Sequence, residues 1–280
     1  MKWSLILILC FALLLSCDKG SGRYTYRLEN AAFPHPEREA GFSRNGTFYS
    51  AEEHYRDARV MVVRPENFRK RNKTDMLVHF HGWNNNIDRC IDQFALASQL
   101  EASGKNMLLV VPEGPRNAPD SFFGKLCEPE GFRRFLDELL DSLHHDGLIR
   151  RPEAGSVYLS GHSGAYYVMG NILRHGGCNA KIREVFLFDG LYACEEDFLS
   201  WLRDYSGRFV HIYTENGGTL DNSMYFMAQC DSLGLPYVRG NTSDMEQMPE
   251  GRILMLYSDL AHSAVIAERR NLQKLLIRAR

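Results

Sequence analysis

The sequence predicts an α/β fold: a three-layer α/β/α sandwich around a mainly parallel sheet. Short apolar, β-branched runs alternate along the chain with stretches whose apolar residues recur every three or four positions, the pattern of strands joined by crossover helices. With 280 residues, 44% of them hydrophobic, the chain can bury one sizeable core. Right-handed crossovers would set the strand C-terminal ends along one edge, which is where sites in such sheets form.

The leader stands outside this argument. Met1-Lys2 is followed by an apolar run from Trp3 to Leu15 that is too short for an ordinary transmembrane helix and reads as a signal peptide, residues 1–16. Leu14-Leu15-Ser16-Cys17 is similar to a bacterial lipobox. That resemblance implies cleavage before Cys17, lipidation of its thiol, and a protein held in the cell envelope on a bacterial membrane, facing the periplasm or the exterior. Residues 17–46 are polar, with Pro34 and Pro36 and little periodicity, and read as a lipidated tether and lead-in. The domain is expected over 47–280.

Its elements follow in order. Strands are expected near Thr47–Ser50 and at Arg59–Val63, where Pro65 ends the run. Met76–Phe80 is a strand running into His81-Gly82-Trp83, and Ile87 to Leu100 carries helical spacing up to Gly104. Met107–Val111 is a buried parallel strand stopped by Pro112. The Pro- and Gly-rich stretch 112–129 is a long connection of the kind that shapes clefts. Phe132, Phe135, Leu136, Leu139, Leu140 and Leu143 mark a helix. After residue 156 come a strand, a helix from Ala165, a strand at Glu184–Phe188, a helix within Leu191–Tyr205, a strand at Phe209–Tyr213, a helix within Asn222–Leu233 and a strand at Arg252–Tyr257.

The stretch 156–167, Ser-Val-Tyr-Leu-Ser-Gly-His-Ser-Gly-Ala-Tyr-Tyr, is a strand, a tight turn and a helix. Gly161 and Gly164 around Ser163 permit a strained turn that projects its hydroxyl out of the sheet. It resembles the Gly-x-Ser-x-Gly nucleophile elbow of the α/β-hydrolase superfamily, serine esterases included, with Ala165 in place of the second glycine. The resemblance covers approximately Thr47 to Arg280. It implies a Ser-acid-His order, with Ser163 as nucleophile and His262, just past the last strand, as base. Two acids remain open. Asp189 ends the strand after the elbow, and Glu215 follows the next strand, the commoner slot in the family. The oxyanion donors implied are the backbone amides of Gly164 and of Trp83 in the His81-Gly82-Trp83 turn. Between Asp189 and Phe209 there is room for one helix only, so no large cap domain is expected and the cleft should be open.

These residues point to an exported serine hydrolase that cleaves an ester, carbohydrate-linked esters among the options, through an acyl-enzyme. A serine peptidase or a non-catalytic surface binding protein of the same fold are the alternatives. The expected partners are a small-molecule or polysaccharide ester and a membrane reached through the lipid anchor. No cofactor is implied. His79 and His81 share a strand but lack acidic or cysteine partners at metal-site spacing, so no metal is expected. The aromatics Trp83, Tyr166, Tyr167 and Trp201 are candidates for lining a ligand cleft, but aromatics at such spacing are more often core, and they read as core. With 33 basic and 35 acidic residues the formal charge is −2, which argues against nucleic acid as a partner. Five cysteines follow the leader, Cys90, Cys127, Cys178, Cys194 and Cys230, an odd number without a disulfide-scaffold pattern.

Overall fold

Runs of Val, Ile, Leu and Phe build the sheet. The computed structural model describes residues 22–247 and 250–279, so the leader and Cys17 lie outside the described residues. The strands are β1 (Gly22–Arg27), β2 (Phe42–Arg44), β3 (Thr47–Tyr49), β4 (Arg59–Arg64), β5 (Thr74–Phe80), β6 (Leu108–Pro112), β7 (Ala154–His162), β8 (Ile182–Phe188), β9 (Arg208–Thr214), β10 (Val238–Asn241) and β11 (Ile253–Ser258). Among the described residues, one sheet takes nine of them in the order β1-β4-β6-β5-β7-β8-β9-β11-β10. Only β4 runs against its neighbours; the remaining pairs are parallel. The hairpin of β2 and β3 stands apart from this sheet.

The helices are α1 (Ala51–His54), α2 (Ile87–Gln93), α3 (Leu96–Ser103), α4 (Gly131–His145), α5 (Tyr166–His175), α6 (Glu195–Asp204), α7 (Leu220–Ser232) and α8 (Asn271–Ile277). Side chains alternate across the strands and so divide the core in two. Met76, Val78 and Phe80 of β5 join the layer of α4, α5, α6 and α7, whereas Leu77 joins that of α2, α3 and α8. This is the three-layer sandwich expected. Between β8 and β9 the chain forms the one helix α6, and no cap domain covers the strand ends among the described residues.

Three expectations are corrected. Residues 22–46 are no unstructured lead-in: β1 pairs with β4 along its whole length, and Leu28, Ala31, Ala32 and Phe33 are buried beneath it. The domain therefore begins at least as early as Gly22, not at Thr47. The single helix expected over Ile87–Leu100 breaks at Ala95, which takes a left-handed φ of 50°. Gln99 repairs the break, its side-chain amide donating to the Phe94 carbonyl at 2.7 Å. Finally, β10 and α8 carry no element in the sequence reading, because four residues and seven residues are too few for a strong periodic signal.

Candidate active site

The strand ends bring the chemistry-bearing residues together. Ser163 follows β7 directly with φ 54°, a left-handed conformation that costs a non-glycine residue about 1–2 kcal/mol. Glycines make the sharp turn possible. A Cβ on Gly82 would stand 2.8 Å from Ser163 Cβ and 2.9 Å from the His162 carbonyl oxygen, so the 81–83 turn can lie against the elbow only without a side chain there. A Cβ on Gly161 would stand 2.7 Å from that of Ala165. The bare Cα of Gly161 is what accommodates the methyl group where the motif has glycine.

Asp189, one residue past β8, is fully buried. Its Oδ2 lies 2.7 Å from His262 Nδ1 and accepts the Thr214 hydroxyl at 2.7 Å. Its Oδ1 accepts the Thr214 amide at 3.1 Å and the Thr219 hydroxyl. Burial pushes this carboxyl up, but the hydrogen bonds from His262, Thr219 and Thr214 outweigh burial and hold it below the usual carboxylate range. An ionised carboxylate only accepts, so the His262 proton sits on Nδ1 and Nε2 is left as a free base.

His162, inside the elbow, supports His262 from the other side. Its Nε2 lies 2.9 Å from the His262 carbonyl and its ring is 4.5 Å from the His262 ring. A carbonyl accepts, so His162 carries its proton on Nε2. Burial first, and the charge of His262 second, push its pKa down to about 4. Tyr192 lines the cleft with Ser163, and its hydroxyl donates to the Gly217 carbonyl. There is no Ser163–His262 hydrogen bond in this structure. Such bonds are commonly loose without substrate and tighten when it binds.

The turn bearing Trp83 is fixed from beneath. His81 Nδ1 donates to the Gly82 carbonyl at 2.8 Å, and its Nε2 accepts the Gly114 amide at 3.1 Å with Glu113 Oε1 also at 3.1 Å. Glu113 is fully buried and also receives the Ile87 amide and Arg59. It ties the ends of β5 and β6 to the start of α2. The Trp83 indole N–H donates to Ser121 Oγ at 2.7 Å, and a Cβ on Gly164 would strike the indole at 2.5 Å. Trp83 thus lies flush against the residue after Ser163.

An open cleft of about 450 Å³ adjoins Ser163. Trp83, Tyr166, Tyr167 and Tyr192 line one side, with Ser121 and Phe122 from the 112–129 connection. Three of the four aromatics read as core therefore face the cleft; only Trp201 is buried in the interior. The cleft is also lined by Asp120 and by Glu37, Arg38 and Arg44, the last three from the stretch expected to be a lead-in. Arg38 is paired with Asp120, Nε to Oδ2 at 2.8 Å, and packs over the Phe122 ring at 4.8 Å.

The structure brings Ser163, Gly164, Trp83, Asp189 and His262 to one place and leaves Glu215 exposed on the turn after β9. His79 bonds Ser160 at 2.9 Å in the interior, and no group of three or more His, Cys, Asp or Glu side chains that could hold a metal ion occurs among the described residues. The five described cysteines are free. Sequence reasoning missed Tyr192, Thr219, Glu113, Ser121 and Arg44. His162 sat within the 156–167 stretch without a role, and Thr214 was passed over between the strand Phe209–Tyr213 and Glu215.

No family model matches the sequence, and neither does any curated protein. Solved structures do match in shape. A ferulic acid esterase aligns with a TM-score of 0.58 at 15% identity, over 92% of this chain and 98% of that one. Staphylococcus aureus fluorophosphonate-binding serine hydrolase F, solved with substrate bound, aligns at 0.54 and 9%, again over 92% and 98%. MPT51 of Mycobacterium tuberculosis aligns at 0.52 and 13%, over 80% and 94%. The chain has the α/β-hydrolase fold. At such identities the likeness is one of architecture.

Proposed function

We propose that this chain is a serine hydrolase that cleaves a carboxylic ester through an acyl-enzyme on Ser163. The observation that carries the reading is the buried Asp189 carboxylate, held by four donors, fixing His262 on Nδ1 beside a strained serine at an open cleft. A hydroxyl is a poor nucleophile at neutral pH and needs such a base. Nε2 of His262 takes the Ser163 proton as Oγ attacks the ester carbonyl, then returns it to the departing alcohol. Asp189 stabilises the imidazolium formed between these steps. The amides of Gly164 and Trp83 are assigned to the oxyanion, where each donor is worth roughly 3 kcal/mol of barrier. Water, deprotonated by the same Nε2, then releases the acid. Glu215 has no part in this scheme.

The ferulic acid esterase among the fold's neighbours and the open, aromatic-walled cleft support an ester over an amide as substrate. The leader supports export and lipid attachment at Cys17, placing the domain on the outer side of a bacterial membrane. One experiment addresses both parts. Cells expressing the full chain are treated with a fluorophosphonate probe, fractionated, and compared with Ser163→Ala, His262→Ala and Cys17→Ser. Labelling in the membrane fraction is expected for wild type, absent in the first two variants, and shifted out of that fraction in the third. A folded wild-type protein that does not label would favour a non-catalytic binding role. Labelling with amide but no ester turnover would favour a peptidase.

A further inference from the structure

The cleft contains two guanidinium groups in opposite states. Arg38 is neutralised by Asp120 through two hydrogen bonds, at 2.8 and 3.3 Å, and is only 15% exposed. Arg44, at the end of β2, lies with its guanidinium 4.0 Å from the centre of the Trp83 ring. Among the described residues no carboxylate pairs with it. Trp83 also lies against Gly164, so one indole touches both Arg44 and the residue after Ser163. A cation stacked on an aromatic face keeps its edge N–H donors free, in the fork geometry that matches a carboxylate or phosphate. The field of Arg44 enters the cleft: burial raises the Tyr166 hydroxyl's pKa, and Arg44 opposes that rise. The one other charge on the wall without an ion-pair partner among the described residues is Glu37, which is exposed and next to Arg38.

We infer that Arg44 selects ester substrates whose planar, aromatic part carries an anionic group. The ring lies among Trp83, Phe122, Tyr166 and Tyr192, and the anion meets the Arg44 guanidinium. The inference rests on the proposed hydrolase activity and deepens it by naming a substrate class. Strand β2, which the sequence assigns to a lead-in, then becomes the element that sets specificity. The contact lies outside the reacting atoms, so Arg44 acts in binding and in the selection of substrate.

The test uses the full-length protein in detergent. Hydrolysis is measured for matched aryl esters bearing a carboxylate, a neutral carboxamide or an aminomethyl group in the para position, on the acyl side in one set and on the leaving side in another. Comparing each variant with wild type cancels the intrinsic reactivity of the esters. Wild type should prefer the carboxylate member of one set, and Arg44→Gln should lower the carboxylate-to-carboxamide ratio of kcat/KM by about tenfold, the scale of one charge-assisted contact. Arg44→Lys should restore much of the ratio, and added salt should weaken it in wild type and in Arg44→Lys but not in Arg44→Gln. A ratio unchanged in Arg44→Gln would overturn the inference, as would a wild-type preference for the aminomethyl esters that Glu37→Gln abolishes. If wild type labels with the fluorophosphonate probe and hydrolyses the neutral esters but shows no charge preference, the inference alone fails. If it does not label, the hydrolase reading fails first.

Discussion

Asp189 accepts four hydrogen bonds with two oxygens, and each donor is fixed by its own surroundings. The Thr214 amide belongs to β9, the hydroxyls of Thr214 and Thr219 flank the Gly217 turn, and the fourth donor is His262. A Cβ on Gly217 would stand 1.8 Å from Asp189 Oδ2, so the turn closes over the carboxylate only as glycine. Asparagine supplies one acceptor where two are needed, and its amide would face either the Thr214 N–H or His262 Nδ1. Where it faces Nδ1, the imidazole proton moves to Nε2 and the base is lost. Asp189→Asn is therefore expected to lower kcat on the order of 10³- to 10⁴-fold with the fold retained, while Glu215→Gln stays within about twofold. Steady-state kinetics on a neutral aryl ester with melting curves alongside check this; a larger loss in the glutamine variant would exchange the two roles. The sequence could not separate the two acids, because both follow apolar strands and precede small residues. What separates them is the reach of His262, a property of how β11 packs beside β9. Tyr192 was illegible for a similar reason: its hydroxyl bonds to Gly217, twenty-five positions away in sequence.

At the scale of elements, the segment from Gly22 to Arg44 does three things at once. Strand β1 covers the edge of β4, residues 28–33 plug the end of the α4 layer, and the hairpin of β2 and β3 raises Arg44 beside Trp83. Glu138 of α4 clamps the segment by accepting the Glu29 and Asn30 amides, both at 2.7 Å. Burying a Leu or Phe side chain is worth about 1.5–3 kcal/mol, so losing Leu28 and Phe33 alone removes a large share of a typical 5–15 kcal/mol stability. It also bares a hydrophobic strand edge. A chain starting at Gly22 should be soluble and label with the probe, whereas one starting at Thr47 should aggregate or melt at least 10 °C lower; equal melting would show that β1 is dispensable. The sequence did carry a signal for β1. Arg23-Tyr24-Thr25-Tyr26-Arg27 alternates aromatic and polar residues, and both tyrosines pack on the core. Nearness to the leader and the two prolines hid it. By contrast the buried strands from β5 to β9 and helix α4 were plain, because continuous apolar runs and a six-residue apolar stripe leave little choice of structure. The break at Ala95 was not, since it serves tertiary contact: Phe94 there packs 4.9 Å from the His162 ring.

For the molecule as a whole, acid is the condition the fold resists least. His79, His162 and His211 are all buried, and each is pushed down from the ordinary histidine value, to about 3, about 4 and about 4. Burial is the first cause in every case; the nearby His162 and His81 add to it for His79, and His262 for His162. The sign follows from proton counting. Between the ordinary value of about 6.5 and about 4, the unfolded chain binds protons that the native chain refuses, so stability rises with pH across that window and falls as the solution is acidified. Asp189, held below its usual range, adds a loss of the same sign at lower pH still. Three histidines acting together should outweigh surface pairs such as Arg23–Asp92, which is exposed on both sides and contributes little. The melting temperature should therefore be nearly level from pH 8 to 7 and drop steeply between pH 6.5 and 4. Replacing His211, which lies away from Ser163 and bonds the Leu187 carbonyl and Ser223, with glutamine should flatten that slope while lowering stability at pH 8. A melting temperature independent of pH from 7 to 4 would mean that these rings take up protons in place, and that the interior around them yields to charge more readily than its packing implies.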